Sequence, residues 1–218
     1  MDTSRESPEP DLHQVQVAVL AKAPIAGLAK SRLIPALGPQ GAALLQRTFT
    51  RNAIEVAQTA GLGPVTLWCA PDAQHRFFRA LVRATGVACR VQPDGDLGQR
   101  MHTAFGFHCA QGPLLLTGTD CPPLSPAHLR QAARALLDGD DAVFFPAEDG
   151  GYVLVGLRKP QPALFEDMAW STPEVMSATR KRARALGLRV SEFETLWDVD
   201  TPADLRRYMN THGNSCRG

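Results

Sequence analysis

Three sets of charged residues have the types and spacing for phosphate and metal chemistry. The first is a single carboxylate, Asp120, at the end of Gly112-Pro-Leu-Leu-Leu-Thr-Gly118-Thr119-Asp120-Cys121-Pro122. Leu114 to Leu116 form a short apolar run with turn residues on both sides, which reads as a buried parallel strand. Ligands of open α/β sheets sit outside the carboxyl ends of the strands, where Asp120 would stand. Pro122 and Pro123 stop regular structure, so Asp120 is held on a short turn. A carboxylate so placed is either a metal ligand or a turn-forming cap, and this stretch alone leaves both open. The second set is Lys22, Lys30 and Arg32, in a Pro- and Gly-shaped loop directly after the first apolar strand. Such a loop is a usual place to hold phosphates, and three cations could neutralise a triphosphate. A solvated basic loop is the plainer alternative. The loop is neither a Walker A loop nor a GxGxxG fingerprint. The third set is Asp198 and Asp200. Residues two apart in an extended segment point to one side, and two carboxylates there repel unless a cation lies between them. Val199 would then point into the core.

Two further stretches carry weaker signals. Gly95 and Gly98 could let backbone approach a flat ligand, or could simply turn the chain into a helix. Glu148-Asp149-Gly150-Gly151 is a short acidic turn between two apolar runs.

The elements that must position these residues alternate. Strands are expected at Val15 to Leu20, Val65 to Cys69, Val87 to Val91, Leu114 to Leu116, Ala142 to Pro146 and Tyr152 to Leu157. Helices are expected at Gly41 to Ala60, Ala73 to Thr85, Leu97 to Ala110 and Pro126 to Leu137, the last capped by Ser125. One more should open at Trp170-Ser171-Thr172-Pro173-Glu174, where Ser171 and Glu174 fit a capping box. Another should open at Thr201-Pro202, with Asp204 as a capping partner. The β-α-β alternation implies a parallel sheet with right-handed crossovers. The short turn before Tyr152 implies an antiparallel hairpin, so the sheet is mixed and mostly parallel.

The chain has 218 residues, 44% hydrophobic and 21% charged, with a net charge of +1. These values suit one α/β domain, expected over 14–210 between a disordered tail at 1–13 and a flexible tail at 211–218. They argue against a nucleic-acid footprint. Arg180-Lys181-Arg182 with Arg184 reads as a solvated helix face. No run is long enough to span a membrane, and the N-terminal residues lack the apolar core of a signal peptide. Five cysteines without paired spacing suggest reduced thiols and a cytoplasmic setting. Cys121 has no base beside it in sequence and reads as a small packed thiol.

Taken together, the motifs resemble those of the nucleotide-diphospho-sugar transferase superfamily with the GT-A fold. Within it the chain is similar to the DUF2064 glycosyltransferase-like family related to CofC-type guanylyltransferases. The matching pieces are Lys22 to Leu33, Gly95 to Met101, Gly118 to Pro122, Pro146 to Tyr152, Trp170 to Thr172 and Asp198 to Leu205. The resemblance implies a three-layer α/β/α Rossmann-like architecture. It implies Mg²⁺, or Mn²⁺ in its place, on Asp120, with Asp198 and Asp200 as distal ligands. It implies that Lys30 and Arg32 act on the β- and γ-phosphates and join Asp120 in catalysis. Ala21, Lys22 and Gly27 would complete the phosphate loop, with Lys22 near the α-phosphate and Gly95 and Gly98 against the nucleobase. Asp149, Gly150, Gly151, Tyr152, Trp170, Ser171 and Thr172 would face the acceptor. The expected partners are a nucleoside triphosphate or nucleotide-sugar and a small-molecule acceptor, with no nucleic acid and with a homodimer allowed. The favoured reaction is transfer of a nucleoside monophosphate to a phosphorylated acceptor. Glycosyl transfer, with Asp149 as base, is the alternative, and a catalytically silent nucleotide-binding subunit is a third.

Overall fold

The computed structural model describes residues 10–212. Both expected tails lie mostly outside them; within them, Leu12–Gln14 forms a short 3-10 turn and the last helix reaches His212. Among the described residues the strands are β1 (Gln16–Lys22), β2 (Val65–Ala70), β3 (Ala88–Val91), β4 (Leu114–Thr117), β5 (Ala142–Pro146), β6 (Tyr152–Leu157) and β7 (Val190–Glu192). The helices are α1 (Ile34–Thr59), α2 (Arg76–Thr85), α3 (Leu97–His108), α4 (Pro126–Leu137), α5 (Val175–Ala185) and α6 (Pro202–His212).

The strands form one sheet in the order β3-β2-β1-β4-β6-β5-β7. Only β6 runs against its neighbours: it pairs antiparallel with β4 and β5. The central strands are buried on both faces, which explains their continuous apolar runs. Alternation then sorts them into two cores. Val17, Val19 and Leu115 face α1, α2 and α4, while Ala18, Leu114 and Leu116 face α3 and α5. The result is three layers, helix on sheet on helix.

A third, smaller cluster matters more for the site. Leu33, Phe49, Val199 and Leu205 pack together, with Trp197 and Tyr208 against them. This cluster binds the loop after β1 and the start of α1 to the segment before α6.

Several boundaries differ from expectation, each for a local reason. α1 begins before Gly41, but Gly38 (φ +69) breaks its helical path ahead of Pro39. α2 starts three residues late because the Asp72 carboxylate accepts from the amides of Gln74 and His75. α5 starts at Val175, not near Ser171. Ser171 takes a left-handed conformation (φ +63), and Thr172 donates its hydroxyl to the Ala169 carbonyl. No box between Ser171 and Glu174 forms. β7 has three partly exposed residues and no apolar alternation to betray it. The basic run lies on α5 but is tied down: Arg180 pairs with Glu192, and Arg182 donates to backbone carbonyls around Glu166.

The described cysteines are free thiols. Two of them meet across adjacent strands, with Cys69 and Cys89 sulfurs 2.9 Å apart. Cys121 packs against the core, and burial pushes its thiol up to about 12, which fits an inert packed group. Among the described residues no helix is long and apolar enough to cross a membrane.

Candidate active site

The sheet order reverses at β1, which has β2 on one side and β4 on the other. Such a switch point opens a crevice at the carboxyl ends of the strands. A cavity of about 490 Å³ lies there, reached by the ends of β1 and β4, the loop after β1, and the first turn of α3. Of the residues singled out from the sequence, Ala21, Lys22, Lys30, Arg32, Asp120, Tyr152, Ser171 and Asp200 line it.

Lys30 is the most constrained of these. Its backbone is left-handed (φ +45), a conformation uncommon outside glycine, and it is followed by a 3-10 turn at Ser31–Leu33. The side chain is 3% exposed. Its ammonium sits 3.0 Å from Asp120 Oδ1, donates to the Val199 carbonyl at 2.8 Å, and lies over the Phe49 ring. Arg32 is largely exposed and pairs with Asp200.

Asp120 is held from behind. The Thr119 hydroxyl donates to Asp120 Oδ1 at 2.8 Å and accepts from Gln46 Nε2 at 3.0 Å. Gln46 is buried in α1. The Val199 amide donates to the Asp120 carbonyl at 2.8 Å, so the Asp198–Asp200 segment is docked on the Asp120 turn. Val199 is fully buried, while Asp200 beside it is left partly exposed, as the two-residue spacing predicts. Asp204 accepts from Thr201 and from the Asp200 amide, so it is a capping residue of α6.

Asp198 does not line the cavity, yet it belongs to the same electrostatic group. Burial holds its carboxyl up at about 6, and the charges of Asp149, Asp200 and Asp120 push the same way. The donor set is therefore hard oxygen in a negative field, which suits a divalent cation such as Mg²⁺. Among the described residues, no three such groups already stand close enough together to hold one. Lys30 and Arg32 lie on two of the carboxylates instead.

The raised Asp198 carboxyl has a measurable consequence. The folded protein binds this proton more readily than the unfolded chain, so the contribution to stability is full below 3.8 and is lost as pH rises through about 6. Asp198→Asn should therefore be more stable than the parent at neutral pH, by about 1 kcal/mol once solvent screening is allowed for. At pH ~3.5, below the unfolded value, the two melting temperatures should coincide. An equal difference at both pH values would show that the carboxyl is not strained.

Other expected residues are placed differently. Gly27 (φ +87) shapes an exposed turn and does not reach the cavity. Gly95 and Gly98 do not line it either. Asp96 and Gln99 form a capping box on α3, and a side chain at Gly95 would strike Gln99. A side chain at Gly98 would meet the Phe165 carbonyl at 2.6 Å and the Trp170 ring. Both glycines thus answer to packing within the protein. Trp170 and Thr172 are not in the lining, although Trp170 meets the Tyr152 ring edge-on. Asp149 accepts from the Gly151 amide at 2.9 Å, and Gly150 (φ +91) gives its carbonyl to the Met176 amide. Asp149, Gly150 and Gly151 therefore build the turn before β6 without lining the cavity.

Several lining residues were not expected as site residues, among them Gln46, Gln92, Arg100 and Thr119. Thr119 and Arg100 lay inside motifs already noted. Leu97, Arg100 and Met101 have the three- and four-residue spacing of one helix face, which was the available signal. Nothing local marks Gln46 or Gln92.

A family model described as "Uncharacterized protein conserved in bacteria (DUF2064)" matches residues 53–172. A solved structure from Desulfovibrio desulfuricans G20, which carries the provisional name nucleotide-diphospho-sugar transferase, is 28% identical. It aligns over 93% of this chain and 89% of that one, with a TM-score of 0.82. 4-diphosphocytidyl-2C-methyl-D-erythritol synthase from Anaerococcus prevotii is 9% identical, over 92% of this chain and 98% of that one, with a TM-score of 0.62. Glucosyl-3-phosphoglycerate synthase from Mycobacterium tuberculosis, solved with Mn²⁺, uridine diphosphate and glucosyl-3-phosphoglycerate, is also 9% identical. It aligns over 90% of this chain and 76% of that one, with a TM-score of 0.54. The last two likenesses are of fold. No curated protein matches the chain in sequence.

Proposed function

The chain belongs to the DUF2064 family of bacterial proteins, and from that premise we propose that it is a Mg²⁺-dependent nucleotidyltransferase. The coarser class, a nucleotide-dependent transferase of GT-A fold, is the one its structural relatives share. The finer reading rests on one observation: Lys30 and Arg32 stand on Asp120 and Asp200 in a single crevice at the switch point.

In this reading the chain donates a nucleoside monophosphate to a small phosphorylated acceptor. An acceptor phosphate oxygen attacks the α-phosphorus of the triphosphate. The bond from that phosphorus to the bridging oxygen breaks, and pyrophosphate leaves with its electron pair. Lys30 and Arg32 hold the departing pyrophosphate and stabilise the charge it gains. Asp120, Asp198 and Asp200 would hold the divalent cation, which supplies charge neutralisation at the phosphate oxygens. Lys30 and Arg32 exchange carboxylate partners for phosphate ones, so the group keeps its charges paired. Tyr152 and Ser171 form the acceptor side of the cavity. Most of the rate comes from positioning and fixed charge.

Glycosyl transfer from a nucleotide-sugar is the competing reaction. It has less need of two cations beyond the β-phosphate, and its suggested base, Asp149, is engaged with the Gly151 amide away from the cavity lining. Product analysis separates the two. With each triphosphate, Mg²⁺ and a pool of phosphorylated acceptors, acceptor-dependent pyrophosphate release is expected. Arg32→Ala should slow that release by about 2 kcal/mol in transition-state stabilisation, or roughly 30-fold. Nucleoside diphosphate released from a nucleotide-sugar, with no pyrophosphate from any triphosphate, would establish the competing reaction.

A further inference from the structure

A second polar group in the same cavity is left unused by this chemistry. Arg100 and Gln92 line it beside Leu97 and Met101. Leu97, Arg100 and Met101 occupy one face of α3, so a single helix face fronts the cavity there. Gln92 is buried, and its Nε2 donates to the carbonyls of Ala21 at 3.2 Å and Trp68 at 2.8 Å. Both amide hydrogens are thereby spent, which fixes Oε1 as the side turned toward Arg100. Arg100 Nη1 reaches that oxygen only at 3.4 Å. Its Nε is buried without a partner. Arg32, Arg158, Arg180, Arg189 and Arg207 each pair with a carboxylate, whereas Arg100 pairs with none among the described residues.

A guanidinium carries five donors in a planar fork, and here they make one long bond. This wall of the cavity therefore calls for acceptors. The apolar flanks of Leu97 and Met101 beside those donors suit a flat ring better than a bare phosphate. Resting on the nucleotide reading above, we propose that Arg100 selects the nucleobase by donating to two adjacent acceptors on one of its edges. Guanine offers N7 and O6, and cytosine offers N3 and O2. Adenine sets an amino group beside N7 and N1, and uracil sets an N–H between its carbonyls, so neither presents such a pair.

The test is equilibrium binding of GTP, CTP, ATP, UTP and inorganic triphosphate to the full chain with Mg²⁺, for the parent, Arg100→Met and Arg100→Lys. For the parent, GTP or CTP should bind at least about tenfold more tightly than ATP and UTP, the scale of one bidentate contact. Whichever of the two is tighter identifies the base. Both variants should bring the four nucleotides to within about threefold of one another, since neither keeps the fork. Their affinity for inorganic triphosphate and their melting temperatures should match the parent's. Arg100→Lys keeps the charge, so its loss of preference separates fork from charge. A parent that prefers ATP or UTP, or that binds all four alike, overturns the inference and leaves the transferase reading standing. Equal weakening of all four nucleotides and of triphosphate in Arg100→Met would make Arg100 a phosphate residue and overturn it too. A chain that binds no nucleotide at all sinks both readings together.

Discussion

Asp120→Asn and Lys30→Met will each slow turnover by about 10²–10³-fold, the scale seen when one preorganised charged group is removed from a transition state. Combining them will cost little more than the worse single change, because the two residues act as a unit. Their effects on stability will differ. Lys30 is 3% exposed and Asp120 39%. Removing the Asp120 charge leaves an ammonium that cannot reach water, with only neutral partners: the amide oxygen of the new side chain, the Val199 carbonyl and the Phe49 ring. About 2 kcal/mol of stability should go with it, less than for a fully buried pair because Asp120 is partly solvated. In a chain of this size that is a fall in melting temperature of roughly 4–8 °C. Lys30→Met replaces a buried charge by an apolar side chain of similar length, against Phe49, and should leave melting nearly unchanged. Steady-state pyrophosphate release and thermal melts of the two single variants and the double variant measure all of this. Turnover within about tenfold of the parent in either single variant would remove that residue from the reaction.

Gly150→Ala should be the most destabilising of the single-methyl changes near the site. Gly150 has φ +91, where an L side chain is strained, and a Cβ there would stand 2.2 Å from the Pro173 carbonyl oxygen. That oxygen belongs to backbone, so relief requires the Pro173 segment to move. The expected loss is about 3 kcal/mol, with a drop in melting temperature of roughly 6–12 °C. Displacing Pro173 also displaces Ser171, which lines the cavity. KM for the acceptor should therefore rise while KM for the nucleotide holds. A melting temperature equal to the parent's would mean that the turn yields without strain.

Much of the frame was legible because burial writes itself into composition. β1, β4, β5 and β6 read as apolar runs since both their faces are covered. The hairpin of β5 and β6 followed from the short turn between them. Asp120, Asp200, Lys30 and Arg32 each stood out because a strand's end, an alternating pair and a shaped loop have local signatures, and the family resemblance grouped them. What stayed hidden depended on contacts between distant parts of the chain. Ser171 and Glu174 have capping-box spacing, but the packing of Pro173 on Gly150 sets the chain there, and the helix starts later. Gly95 and Gly98 suggest room for a ligand, but neither lines the crevice at the switch point, and Gln99, Phe165 and Trp170 stand where a side chain at these positions would go. Gln92 acquires its meaning only when β1 and β2 bring the Ala21 and Trp68 carbonyls to one amide. Arg100 sat inside a noted motif, but an unmatched guanidinium is visible only once its surroundings are known.

The Lys30 ammonium and the Val199 carbonyl that receives it are 169 residues apart. A ribosome making this chain at about 5–20 residues per second therefore completes the loop after β1 long before the acidic segment exists. The central strands can pair in the meantime, since β1, β2 and β4 lie far earlier in the order of synthesis. The crevice at the switch point cannot: until Val199 docks, the Asp120 turn lacks its amide donor and Lys30 lacks its backbone acceptor. A partly made chain thus carries the sheet without the proposed active centre, whose assembly is the last act of folding.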